Sequence, residues 1–124
     1  MTFHVATLVH RFCEAAHDHG HWIDEGRSPK ANAAYRRMSN ALRGLQAHGP
    51  AGAIALGSLL SHSDRWVRLN TAAYLLDEPS MQLDALRTLE GVAESPGFAG
   101  LTATMTLTEW RKGAMQKTLW RPSP

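Results

Sequence analysis

The sequence predicts an all-α protein of about six helices in three hairpins, stacked as a single domain. Three observations lead there. Apolar residues recur at helical spacing along most of the 124 residues. Gly and Pro interrupt these runs at Gly20, Ser28-Pro29, Gly49-Pro50, Pro79 and Pro96-Gly97, intervals suited to short helix–helix connections. The run 55–68 reads as one helix, a short break, an Asp at a helix start and a second helix opening on Val-Arg, the layout of a helical-repeat hairpin.

The first helix is predicted over 2–18, where Val5, Leu8, Val9, Phe12, Ala15 and Ala16 share a stripe. Gly20 is its expected stop, with Trp22 and Ile23 in the connection. Ser28 followed by Pro29 starts the second helix, because proline in a first turn lacks only a donor that would be unpaired there anyway. Ala31, Ala34, Tyr35, Met38, Leu42 and Leu45 form its apolar stripe, opposite Arg36, Ser39, Asn40 and Arg43. Gly49-Pro50 closes it and opens a third helix over 50–61, with Leu56, Leu59 and Leu60 inward and Gly57 allowing a close approach.

Asp64 begins the fourth helix, its carboxylate accepting from the free amides of the first turn. Val67, Thr71, Tyr74 and Leu75 form one buried stripe, and Trp66, Leu69, Ala73 and Leu76 a second. A helix apolar on two sides packs on two sides. Pro79 begins the fifth helix, with Leu83, Leu86, Leu89 and Val92 inward. Residues 101–108 alternate strictly, the period of a half-buried strand, yet Ala103, Leu107 and Trp110 also keep helical spacing and Thr106 with Glu109 fits a capping box. A lone strand would find no partner, so helix is expected. The domain is drawn at 1–113 and a tail at 114–124, where Met115, Leu119 and Trp120 either pack back or stay loose.

A single cysteine, Cys13, excludes an internal disulfide framework and any multi-cysteine zinc site. No charged leader with a long apolar core opens the chain, and no run is long enough to span a bilayer, so a cytoplasmic location is expected. The net charge of +2 hides a polarised distribution. No acidic residue lies between Arg27 and Ser63, which include Lys30, Arg36, Arg37 and Arg43. From Asp77 to Glu109 six acidic residues face Arg87 alone, and the end of the chain turns basic again. Such polarity can steer a charged partner or register one copy against another.

Asp64-x-x-Val67-Arg68, with Leu75 after it and Leu59-Leu60 before it, resembles a HEAT-type repeat, although Thr71 stands where that pattern carries a small apolar residue. Asp caps the second helix, Val and Leu fill the seam, and Arg lies one turn from Asp for an ion pair. A longer set of pieces is similar to the domain of unknown function 2019 family of small bacterial HEAT-like proteins. These are Leu8-Val9-x-x-Phe12 with Ala15-Ala16, Asn32-x-x-Tyr35, Leu59-Leu60-x-His62-x-Asp64-x-x-Val67-Arg68-Leu69, and Met105-Thr106-Leu107-x-Glu109-Trp110-Arg111-x-Gly113. The resemblance implies a short right-handed α–α superhelix and supplies no catalytic residue, no metal and no cofactor.

Several side-chain groups invite chemistry. His17-Asp18-His19-Gly20-His21 has ligand types suited to zinc or nickel, but alternate residues of a helix face different ways and the widely spaced partners of a structural site are missing. A solvated helix end is the plainer reading. His10, Glu14 and His17 share a face and could exchange protons, or simply be wet. Cys13 beside the apolar stripe reads as an inert thiol. Trp66 and Trp110 are expected between helices, and Asp64 and Arg68 as cap and ion pair. If the helices stack in order, Arg36, Arg37, Arg43 and Arg65 form the most plausible contact surface.

No phosphate loop, nucleophile elbow or carboxylate pair at catalytic spacing occurs, so no enzyme is expected. The expected function is a protein-interaction module, immunity-like or scaffolding, that offers a rigid curved face to one protein partner. A nucleic-acid-binding solenoid using the basic segment 27–68 is the alternative, disfavoured by the modest charge and the acidic stretch that follows. The sequence names neither the partner nor the oligomeric state.

Overall fold

The computed structural model describes residues 3–113, and the regular elements among them are all helical: α1 (Val5–Asp24), α2 (Ser28–Ala47), α3 (Pro50–Gly57), a 3₁₀ turn (Ser58–Ser61), α4 (Arg65–Leu75), α5 (Gln82–Ala93) and α6 (Gly97–Arg111). The tail expected at 114–124 lies outside the described residues.

α1 runs six residues past its expected end, carrying Trp22 and Ile23 with it. Gly20 is not its stop. It is buried inside the helix, where a Cβ would fall 2.0 Å from Cγ of Trp66. The stop is Gly26, at φ 71, whose amide bonds Ile23 O while the Arg27 amide bonds Trp22 O, the paired bonds of a left-handed glycine cap. α2 starts as expected, with proline in its first turn, and buries Ala31, Ala34, Met38, Ala41, Leu42 and Leu45. Tyr35 sits at the edge of that stripe, 41% exposed. The third helix tightens to 3₁₀ after Gly57, and a Cβ on Gly57 would come 2.6 Å from the Met81 sulfur.

α4 is the inner helix. It touches α1, α3, the 3₁₀ turn, α5 and α6, and buries Trp66, Val67, Leu69, Thr71, Ala72, Leu75 and Leu76, so both expected apolar sides are used. Ala73 and Tyr74 are half-buried. α1 packs along α2, α5 along α6, and α1 also reaches α6, so one continuous apolar core runs from Leu8 to Leu107.

α5 departs from expectation. It begins at Gln82, after a turn in which Ser80 donates to the Glu78 carboxylate and Gln82 to Leu76 O. Its core face is Ala85, Leu89 and Val92, while Leu83 is 60% exposed. Steps of three residues fall about 60° short of a full circle each, so the sequence stripe winds around the helix and Leu83 ends half a turn from Val92.

The alternating segment is helical, as favoured. α6 buries Ala99, Gly100, Ala103 and Leu107, and Trp110 is half-buried against the core. Thr106 is no cap. The hydroxyls of Thr104, Thr106 and Thr108 donate to the carbonyls four residues back, which lets β-prone residues satisfy themselves within a helix.

Candidate functional site

Among the described residues, polar side chains gather at the seam where the start of α4 meets α1 and around the groove between α1 and α2. At the seam Asp64 uses both carboxylate oxygens. Oδ1 accepts from the amides of Trp66 at 2.8 Å and Val67 at 3.1 Å, closing the N-terminus of α4. Oδ2 accepts from His17 Nδ1 at 2.7 Å, tying that end to α1. Burial pushes the Asp64 carboxyl up, but the His17 hydrogen bond and the two amides outweigh it and hold the group below the usual carboxylate range.

The expected Asp64–Arg68 ion pair gives way to a different arrangement. Arg68 Nη1 donates to the carbonyls of His62 at 2.8 Å and Ser63 at 3.0 Å. Those carbonyls lie in the break before α4, within reach of a side chain one turn into the helix. Asp64, committed to its cap and to His17, turns the other way. Arg68 therefore pins the break while Asp64 pins the helix.

His62 lies between them. Its Nδ1 accepts from the Asp64 amide at 3.0 Å, and its Nε2 is 3.5 Å from Cys13 Sγ. With Nδ1 accepting, the proton of a neutral ring sits on Nε2 and points at sulfur. This histidine cannot take the thiol proton. Burial raises the Cys13 thiol, and the carboxylates of Asp64 and Glu14 raise it further, so a pair that looks like nucleophile and base has the opposite electronics.

The histidine run is spread around α1, because the helix continues through Gly20. His17 faces Asp64; His19 packs with the rings of Tyr35 and Trp66 at 5.8 and 6.1 Å; His21 meets Trp22 edge-on at 4.7 Å. Among the described residues no three His, Cys, Asp or Glu side chains are placed to hold a metal ion. His10 and Glu14 meet at 2.9 Å as an open i,i+4 pair. Trp66 is buried between helices as expected, and its indole N–H donates to Asp24 at 3.0 Å. Across the seam Tyr74 packs edge-on against Phe12, and its hydroxyl meets those of Tyr35 and Ser39; burial, then Tyr35, pushes it well above the ordinary tyrosine value.

The groove between α1 and α2 has an apolar floor and a charged rim. Phe3, Leu8, Ala41 and Gly44 line its base; Arg11, Glu14, Arg37 and Asn40 stand around it. Gly44 lets α1 approach α2 closely here, since a Cβ there would fall 2.8 Å from Leu8 Cδ2. Arg37 donates to Asp18 at 3.1 Å, Arg43 to Asn40, and Arg11 lies 4.0 Å over the Phe3 ring.

Of the four arginines expected to share a surface, Arg36, Arg37 and Arg43 are exposed on α2. Arg65 is not with them. It lines a different, polar cleft with His17, His21, Asp24, Ser63, Asp64 and Trp66, because α4 meets α1 at the seam rather than continuing the outer face of α2. Arg11 and Phe3 were not foreseen. Gly44, three residues after Ala41 on a helix otherwise rich in larger residues, was the available signal.

The crystal structure of the protein RPA1889 from Rhodopseudomonas palustris CGA009 matches with a TM-score of 0.81 at 22% identity, over 93% of this chain and 94% of that one. At that identity the likeness is one of fold. No family model matches the chain, and a search of curated proteins finds no match. Among the described residues no helix is long and apolar enough to cross a membrane.

Proposed function

We propose that this chain is a non-catalytic protein-interaction module, a short HEAT-like α–α superhelix of the kind the domain of unknown function 2019 family represents. It binds one protein partner through the outer face of α2 and the groove beside it. The observation that carries this reading is the groove itself: an apolar floor for an anchoring side chain, with Arg11, Glu14 and Arg37 on its rim, Arg37 paired to Asp18, and Arg36 and Arg43 continuing the basic face of α2, a helix without acids. The partner it fits is acidic with an apolar anchor. Binding there occludes or scaffolds that partner, as an immunity-like protein does, with no bond made or broken. The stacked helices support the reading by holding the face rigid, which lowers the ordering cost of association.

The test compares the wild-type chain with Arg37→Glu/Arg43→Glu in pull-downs from the native host at mild salt, with Arg65→Glu as control. The expected result is one protein retained by the wild type and by the control, lost by the double variant, and forming a one-to-one complex in solution. Recovery of the same proteins by all three chains overturns the reading. Retention of nucleic acid, released steeply by salt, would replace it with the basic-solenoid alternative.

A further inference from the structure

Among the described residues, the rim of the groove between α1 and α2 carries one charge without an opposite. Arg37 donates to Asp18 at 3.1 Å, and Glu14 meets His10 at 2.9 Å. Arg11 lies 4.0 Å over the Phe3 ring and meets no carboxylate among the described residues. A guanidinium carries five N–H donors and spends none of them on a ring face. Its seat is fixed, because His48 Nε2 donates to the Phe3 carbonyl at 2.9 Å and ties the residues before α1 to the end of α2. With Leu8 against Gly44 and Asp18 against Arg37, α2 runs back along α1, and Arg11 and Asn40 line the same groove from opposite sides. The Asn40 amide oxygen accepts from Arg43, so what Asn40 has to offer a ligand is its NH2, a further donor.

We propose that this groove holds the C-terminal residue of the partner protein, its apolar side chain on Leu8, Ala41 and Gly44 and its free carboxylate on Arg11 and Asn40. The proposal rests on the reading of the groove as a protein-binding site and names the group that is read there. Donors from two helices around one unpaired positive charge suit a single carboxylate. Glu14 on the same rim repels a second acid. A terminal residue carries its carboxylate and its side chain on one Cα, so both fit a cavity of about 440 Å³. An Asp or Glu within a chain supplies the charge without the apolar body. A chain running straight through would also lay its amides over the buried side chains of Leu8 and Ala41, which have no polar atom to meet them.

The test is a nuclear magnetic resonance titration of the isotope-labelled full chain, followed at the Gly44 backbone amide and the Asn40 side-chain amide. The probes are N-acetyl-Gly-Leu, the same peptide with its C-terminus amidated, and amidated N-acetyl-Asp-Leu, which moves the charge to a side chain. The free acid should shift both signals and bind about ten-fold more tightly than either amide, the worth of a charge-assisted hydrogen bond. Arg11→Gln should bring the acid down to the level of its amide. Arg65→Gln, in the other cleft, should leave it unchanged, and the helical circular dichroism of both variants must match the wild type. Equal binding of acid and amide overturns the proposal, as does amidated N-acetyl-Asp-Leu binding as well as the free acid. Octanoate binding as tightly as the peptide overturns it in favour of a free acid of the same chemistry. Signals that stay still with every probe overturn it outright. These arms vary Arg11, whereas the capture test above varies Arg37 and Arg43, so either can fail without the other.

Discussion

The indole of Trp66 occupies the space that a side chain on Gly20 would need. A Cβ on Gly20 would lie 2.0 Å from Cγ and 2.3 Å from Cδ1 of the ring, so α1 and α4 touch here as backbone against aromatic face. The contact seats the indole between helices, and its N–H reaches Asp24 one turn further along α1. It also fixes where the Asp64 end of α4 meets His17.

Gly20→Ala should therefore destabilise the protein by about 1–3 kcal/mol, the usual cost of overpacking, despite the better helix propensity of alanine. Gly91→Ala should do the reverse. Gly91 is also inside a helix, but nothing lies within 4 Å of its would-be Cβ, so a gain of about 0.5–1 kcal/mol is expected. Urea unfolding of the two variants checks the contrast, and two shifts of the same sign would contradict it.

Asp64→Ala should cost about 0.5–2 kcal/mol through the lost cap. Asp64→Asn should keep most of the cap while losing the charge that faces His17. Because the folded carboxyl sits below its ordinary value near 3.8, its extra stability is present above that value and disappears as pH falls through the folded-state pKa. Thermal melts at neutral pH should separate wild type from Asp64→Asn, and the gap should narrow as pH falls below 3.8 and close once it has passed the folded-state pKa.

Thr71 is fully buried, and among the described residues its hydroxyl oxygen has no hydrogen-bond partner. Valine has nearly the same shape without the polar atom. Thr71→Val should stabilise the chain by about 1 kcal/mol, read as a rise in the urea midpoint at constant slope.

Cys13 should be a sluggish thiol. Its sulfur is half-buried, receives the His62 N–H and has its ionisation disfavoured by burial and by two carboxylates. Iodoacetamide labelling followed by mass spectrometry at neutral pH should run at least several-fold slower in the native protein than in urea. Equal rates would mean the seam opens freely.

What could be read from the sequence was what is decided within a turn or two of chain. Asp64 caps Trp66 and Val67, residues two and three positions on, and that geometry is local. The helix starts at Ser28-Pro29 and Pro50 are local too. The failures are long-range. Gly20 looks like a stop until Trp66 is brought against it, and only then does a glycine inside a helix have a purpose. Arg68 has Asp64 in reach by spacing, but the carboxylate is claimed by His17 from another helix. Leu83 failed for a different reason: the i+3 repeat winds off its own face, and only the docking of α5 decides which part of the spiral is inward. The grouping of Arg65 with the α2 arginines assumed that α4 continues the outer face of α2, whereas the start of α4 packs on α1.

The threonine ladder of α6 has one more consequence. Residues 101–108 hold eight uncharged positions without glycine or proline, alternating as a strand would, and they are helical in the folded chain, where Ala103 and Leu107 dock on the core. Once heat or acid releases α6, that octapeptide is free to template extended stacks with its neighbours, so clouding on heating should track the loss of this one segment. A lysine in place of exposed Thr104 would act as a gatekeeper, making melts reversible without touching the native contacts of Ala103 or Leu107.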